Sequence, residues 1–310
     1  MRTSPATGLE IPSRLPSRPD LHPRLPGEAS VGAVLAWATP LLTEAGLSSP
    51  ALEAHRLLQH ATGLSEARVI AFPEAEVSPA QTEQFQALVL RRAERIPLAY
   101  VTGAASFLRW EFSVDERVMV PRPETEILVE AAASRLQGRR SGWVVDVGTG
   151  SGVVAISLAL MVPHYRVLAV DVSQRALEVA SRNIASHACG RRVFPVCGDL
   201  LSPLRPGVQG IVANLPYVPS AVLPTLQPEV ARYEPRLALD GGQDGLALLR
   251  PLARAAAHYL SSGGFVALEV GAGQARNVEA LLRTNPLVRR TQVIPDYAGI
   301  ERVVIAFVDR

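Results

Sequence analysis

Three clusters of residues in this 310-residue chain have the types and spacing to do chemistry. Gly148, Gly150 and Gly152 lie in "VVDVGTGSGVVAISLAL", between a β-type apolar run and a helical one. Glycines at such a junction let the backbone turn tightly and a ligand approach closely. Asp171 follows in "LAVDVS", nineteen residues after Gly152, and Asp199 stands beside Leu200 in "VCGDLL". Asn214, Leu215, Pro216 and Tyr217 close a fourth apolar run, "GIVANLPYV".

The loop spacing is G-x-G-x-G. A dinucleotide fingerprint wants Gly or Ala at position 153, and Val153 stands there. Asp146 precedes the loop, where its charge is expected to repel a pyrophosphate. Both points favour a nucleoside without phosphates, such as S-adenosylmethionine. Gly148, Thr149, Gly150, Ser151 and Gly152 are then expected to cradle it. Asp171 would accept both ribose hydroxyls. Asp199 would accept from the adenine amino group, and Leu200 would cover the ring. Singly, each acid is an ordinary turn residue or helix cap. At successive strand ends around one glycine loop they form a site.

Asn214-Leu215-Pro216-Tyr217 resembles the motif of the amino-methyltransferases: Asn or Asp, a variable residue, Pro, then an aromatic. Those enzymes methylate planar nitrogens. A planar NH2 group is a poor nucleophile because its lone pair is delocalised. It gains positive charge as it attacks a sulfonium methyl. Two acceptors aimed at its hydrogens stabilise that charge most in the transition state. The Asn214 side-chain oxygen and the Leu215 main-chain carbonyl can supply them. Pro216 stiffens the turn, and the Tyr217 ring can pack on a flat substrate. Asn214 and Tyr217 are thus the expected catalytic residues, and Asn214 to Tyr217 the substrate clamp. The competing reading is a turn fixed by Pro216 after a strand.

The elements that must position these residues alternate from Gly142 onward. Strands are predicted at 143–147, 166–171, 192–196, 209–213 and 264–270, with a closing hairpin at 289–294 and 302–308. Helices are predicted at 152–161, 173–186, 246–261 and 273–284. The expected fold class is α/β, a seven-stranded doubly wound Rossmann-like sheet with a small N-terminal helical domain. Residues 1–28 are rich in Pro, Arg and Ser and read as a disordered tail. Residues 29–97 read as a helical bundle and a natural docking module. Ser49 and Ser78 serve there as helix starts, Pro40 as a kink or split, and Leu52, Leu57 and Leu58 as one buried face. Phe85, Leu88 and Leu90 form another. Residues 98–120 read as a β-hairpin linker, and 121–310 as the catalytic domain, opened by a helix after Pro123.

Composition narrows the chemistry. Nearly half the residues (48%) are apolar, so a sizeable core can form. Net charge is only +2, which gives no general nucleic-acid surface. All 31 basic residues are Arg, which excludes a lysine nucleophile, a Schiff base and a P-loop lysine. Cys189 and Cys197 have no metal-ligand partners in the sequence, so no metal is expected. The longest apolar run, Val153 to Val162, is too short to span a bilayer, and a cytoplasmic protein without a membrane partner is expected.

Five further segments carry a closer resemblance: "AYVTG" (Ala99–Gly103), "VPRPETEILV" (Val120–Val129), "EPRLALDGGQDGL" (Glu234–Leu246), "LEVGAGQ" (Leu268–Gln274) and "DYAGIERVV" (Asp296–Val304). Together they resemble the HemK/PrmC family of peptide chain release factor glutamine methyltransferases, over roughly 30–310. The resemblance implies S-adenosylmethionine as methyl donor, S-adenosylhomocysteine as product and class 1 release factors as protein substrate. A monomer that binds no nucleic acid directly is expected. The resemblance also implies methylation at N5 of the glutamine in the substrate's Gly-Gly-Gln motif. The family usually has Pro at 215 and often an aromatic at 200. The chain's own Gly241-Gly242-Gln243 reads as a coincidence within a loop, with no self-methylation expected. Arg122, Glu124 and Thr125 border the cofactor pocket in one reading and cap a helix in the other. Alternatives are an adenine N6-methyltransferase on rRNA or DNA, a glutamine methyltransferase of a ribosomal protein, and a non-catalytic binding protein.

Overall fold

The computed structural model describes residues 29–309, so the tail reading of 1–28 lies outside the described residues. The chain divides into two compact units after Val89.

In the first unit, β1 (Ala29–Ser30) leads into α1 (Val31–Glu44), α2 (Pro50–Thr62), α3 (Glu66–Ala71), β2 (Glu76–Val77) and α4 (Pro79–Ala93). β1 pairs antiparallel with β2, a pairing the sequence did not suggest. Pro40 does not split α1. The helix runs on to Glu44 because Leu41 and Leu42 are buried beyond the proline. Ser49 holds the N-cap position of α2 without a side-chain capping bond. Leu57 and Leu58 are buried with Ala54 and Ala61, but Leu52 is 49% exposed. Phe85 and Leu88 are buried as expected, whereas Leu90 is 49% exposed and Val89 takes the inward position.

The second unit begins in the last turn of α4. It continues through α5 (Leu98–Thr102), the hairpin β3 (Ala104–Phe107) and β4 (Trp110–Ser113), and α6 (Glu124–Leu136). Then come β5 (Gly142–Val147), α7 (Val153–Met161), β6 (Tyr165–Asp171), α8 (Gln174–Ser186), β7 (Val193–Cys197) and β8 (Val208–Ala213). After a long connection holding α9 (Pro228–Tyr233), the chain forms α10 (Leu249–Tyr259), β9 (Leu260–Glu269) and α11 (Ala275–Arg283). It ends in β10 (Val288–Pro295) and β11 (Glu301–Val308).

The sheet has seven strands in the order β10-β11-β9-β8-β5-β6-β7. β5 pairs in parallel with β6 and β8, β6 with β7, and β8 with β9. β11 is antiparallel to β9 and β10. The chain winds outward from β5 through β6 and β7, then returns to β8. That reversal beside β5 is where a doubly wound sheet opens a crevice at its carboxyl edge. The central strands read as apolar runs because both faces are covered. α10 is shorter than predicted because Leu260 already pairs with Val208, after which β9 bulges before Phe265 meets Gly210. Among the described residues, no helix is long and apolar enough to cross a membrane.

Candidate active site

The carboxyl ends of β5, β6, β7 and β8 converge on a cavity of about 380 Å³. Gly148, Thr149, Gly150 and Ser151 form one wall, and Asp171, Asp199 and Leu200 another. Asn214, Leu215 and Pro216 close the side toward β8. Gly152 and Tyr217 are not among the lining residues. Gly152 is the N-cap of α7 with φ of 84°, and a Cβ there would lie 3.3 Å from Ala180 Cβ. It therefore serves close packing of α7 against α8.

The loop is held from two sides. Thr149 Oγ1 donates to Asp146 Oδ2 at 2.6 Å, and the Ala155 N–H donates to the same oxygen at 3.1 Å. Burial pushes the Asp146 carboxyl up to about 7, against these two bonds. Asp146 is 1% exposed and does not line the cavity. The expected repulsion of a pyrophosphate by Asp146 therefore has no basis in the structure. Val153, which does line the cavity, remains the departure from a dinucleotide loop. On the other side, Asp171 accepts from the Gly150 N–H at 2.9 Å and the Ser173 N–H at 2.8 Å. Burial raises its carboxyl, and those N–H groups oppose the shift. Gly150 has φ of 55°, and a Cβ there would meet no protein atom. The loop thus offers bare backbone beside a half-buried carboxyl, which suits a ribose.

Asn214 donates from Nδ2 to Thr125 Oγ1 at 2.9 Å. Among the described residues, neither its Oδ1 nor the Leu215 carbonyl accepts a hydrogen bond from the protein. The following turn is braced by Gln274, whose Nε2 donates to the Tyr217 carbonyl at 2.9 Å. The Gly241–Gly245 stretch packs on the same turn. A Cβ on Gly245 would sit 2.2 Å from the Tyr217 carbonyl oxygen. The Tyr217 hydroxyl lies 3.5 Å from Glu269 Oε1 at the end of β9. Burial and the nearby Glu269 push that hydroxyl up to about 12.

Sequence reasoning left several cavity residues unplaced. Arg117, Val118, Met119 and Pro121 line it from the segment after β4, and Pro235, Leu237 and Ala238 from the β8–α10 connection; of Arg122, Glu124 and Thr125, which one reading set at the pocket's border, Thr125 in the first turn of α6 lines it. That connection is pinned by ions. Glu229 receives Arg92 at 2.9 Å and Arg95 at 2.7 Å, and Glu234 pairs with Arg122. Buried Asn183 ties the rear of the glycine loop to the hairpin, donating to Ser151 O at 2.8 Å and to Ser113 O at 2.9 Å.

Two family models match the chain: the PrmC N-terminal domain over residues 33–103 and the methyltransferase small domain over 123–224. A release factor glutamine methyltransferase from Moorella thermoacetica is 43% identical over 274 residues, covering 88% of this chain and 96% of the relative. That likeness decides the family. The chain belongs to the release factor glutamine methyltransferases. Relatives of the same name from Geobacter sulfurreducens (40% identical, covering 89% of this chain and 95% of theirs) and Deinococcus radiodurans (39%, covering 88% and 96%) agree. The solved hMettl16 catalytic domain, in complex with an RNA hairpin, has a TM-score of 0.50 at 13% identity, covering 74% of this chain and 83% of its own. That likeness is one of fold.

As a member of this family, the protein is an S-adenosylmethionine-dependent methyltransferase. The residues present fit that cofactor: bare backbone at Gly150, the half-buried Asp171 carboxyl and a half-buried Leu200 line one cavity, beside the open acceptors of Asn214 and Leu215. Among the described residues, no group of three or more His, Cys, Asp or Glu could hold a metal ion.

Proposed function

We propose that this protein methylates the side-chain amide nitrogen of the glutamine in the Gly-Gly-Gln motif of class 1 peptide chain release factors. The observation that carries the reading is the pair of open acceptors on Asn214 and Leu215 at the edge of the cavity lined by Gly150 and Asp171. Family membership supports a protein substrate rather than a nucleic acid.

In this reading Gly148 to Ser151 cradle the cofactor, Asp171 holds its ribose, and Asp199 and Leu200 meet its adenine. Bound S-adenosylmethionine supplies a methyl group whose bond to sulfur breaks, the electron pair passing to sulfur, as the amide nitrogen forms the new N–C bond. Asn214 Oδ1 and the Leu215 carbonyl accept the two amide hydrogens and favour the charge that builds on nitrogen. The Pro216 turn fixes the nitrogen in line with the methyl group. Tyr217 walls the substrate plane. A proton then leaves the charged nitrogen for water, so no base is needed before attack. The same proposal includes a monomer acting in the cytoplasm without direct nucleic-acid contact.

The test offers the protein labelled S-adenosylmethionine with a purified release factor in one tube and rRNA in another. Mass spectrometry then locates the label. Methylated glutamine in the factor is the expected result. Label on rRNA alone would replace this reading by the adenine alternative.

A further inference from the structure

The clamp is short, Asn214 to Tyr217, and the chain is held on both sides of it. At the near end Ala213 pairs with Val147 in β5 and Leu268 in β9. Asn214 and Leu215 then meet the cavity, and the ring of Pro216 fixes its own φ. Where the two acceptors lie is therefore decided by what holds the far end, at Tyr217 and Val218.

Two of the family segments meet there, Glu234–Leu246 and Leu268–Gln274, although neither holds a residue of the clamp. From the first, Leu239 O accepts from the Val218 N–H at 3.0 Å, and the Gly241 N–H donates to Val218 O at 2.8 Å. From the second comes a side chain. Gln274 Nε2 donates to the Tyr217 carbonyl at 2.9 Å, and Gln274 Oε1 accepts from the Gly271 N–H at 2.9 Å. Turned over, that amide would set oxygen against oxygen and NH2 against N–H, so only one orientation fits. The Gln274 N–H donates to Gly271 O at 3.0 Å, which closes the loop on itself and gives the side chain a fixed reach.

The space around this contact admits no further side chain. A Cβ on Gly245 would run into both the Tyr217 carbonyl oxygen and Gln274 Nε2. A Cβ on Gly271 would lie 2.9 Å from Gln274 Oε1 and 3.1 Å from Tyr217 Cδ2, so bare backbone lies against the Tyr217 ring. Gln274 does not line the cavity, so it acts on the chemistry only through the turn. We propose that Gln274 is a positioning residue for methyl transfer. It pins the Tyr217 carbonyl and so sets where the Leu215 carbonyl and the Tyr217 ring meet the substrate amide. In-line transfer is sensitive to such placement, a shift of about 1 Å costing about a hundredfold in rate.

This inference rests on the proposed function for its kinetic readout, and hydrogen exchange frees it from that dependence. With a release factor as substrate, Gln274→Ala should lower the single-turnover rate about ten- to hundredfold while cofactor Kd stays within a few-fold. Gln274→Glu keeps the shape but sets an ionised oxygen against the Tyr217 carbonyl, and should be no better than Gln274→Ala. A role in filling space alone would leave Gln274→Glu near wild type. In an Asn214→Ala background, which lacks the clamp's side-chain acceptor, Gln274→Ala should cost much less than it does alone. Without any substrate, exchange of the Val218 and Gly241 amides should quicken about tenfold in Gln274→Ala. A wild-type rate in folded Gln274→Ala or Gln274→Glu, or unchanged exchange at Val218 and Gly241, would overturn the assignment. A wild-type enzyme that leaves release factors unmethylated would instead overturn the functional reading, and the exchange measurement would still decide the role of Gln274.

Discussion

The Gly150 N–H and the Asp171 carboxylate meet at 2.9 Å, so the glycine loop after β5 and the acid that ends β6 form one unit. The acid is held to a single position before any ligand arrives. Asp171→Ala removes both the brace and the proposed ribose acceptor. Cofactor Kd should rise about 10- to 100-fold, roughly 1.4–2.8 kcal/mol, by titration calorimetry. An unchanged Kd would show that the ribose is held elsewhere.

Asp146 makes stability depend on pH. Its folded carboxyl is pushed up to about 7 from 3.8. A raised acid binds its proton more tightly in the native state, so its contribution is complete below the unfolded value and is lost as pH rises through the folded one. Asp146→Asn keeps the shape without titrating. Denaturant melts from pH 4 to 8 should show the variant gaining on the wild type as pH rises, with the gain levelling above about 7. Parallel curves would contradict this.

The Arg122–Glu234 pair should govern the β8–α10 connection. Glu234 has a side chain only 1% exposed, against 31% for Arg122. Arg122→Ala leaves a buried carboxyl without its cation and should cost up to about 3 kcal/mol, discounted for the exposed arginine. Because Pro235, Leu237 and Ala238 line the cavity, cofactor affinity should fall with it. Adding Glu234→Gln to that variant should recover part of both losses, measured by chemical denaturation and calorimetry.

Leu215 separates main chain from side chain. If residue 215 contributes only its carbonyl, Leu215→Pro should keep kcat within a few-fold. The side chain is 4% exposed and packs beside Gly148, so the variant should lose about 1–2 kcal/mol of stability. A collapse of kcat in a folded Leu215→Pro protein would contradict the main-chain role.

The parts of this molecule legible in the sequence are those with a local signature. β5, β6 and β8 are apolar runs because both faces of the sheet are covered, and Gly148 and Gly150 stand where φ is positive, 75° and 55°. Helical phase misled at Leu52 and Leu90. Each lies five residues from a buried partner, Leu57 and Phe85, which turns it about 140° away. The small residues Ala54 and Ala61 and the adjacent Val89 fill those faces instead. Asp146 looked like a charge aimed at the ligand, but its partners, Thr149 and Ala155, hold it inside the loop. Thr125, which the sequence left between a pocket border and a helix cap, and Pro235, Leu237 and Ala238 reach the site through long-range packing. No spacing rule brings the first turn of α6 to the end of β8.

The central claim is that Asn214 acts on the transition state and little on cofactor binding. The direct measurement is single-turnover methylation of a release factor by Asn214→Ala, with cofactor Kd measured on the same sample. The account predicts a Kd within a few-fold of the wild type and a transfer rate lower by about 10²–10³-fold. A rate near that of the wild type in the folded, cofactor-bound variant would contradict it.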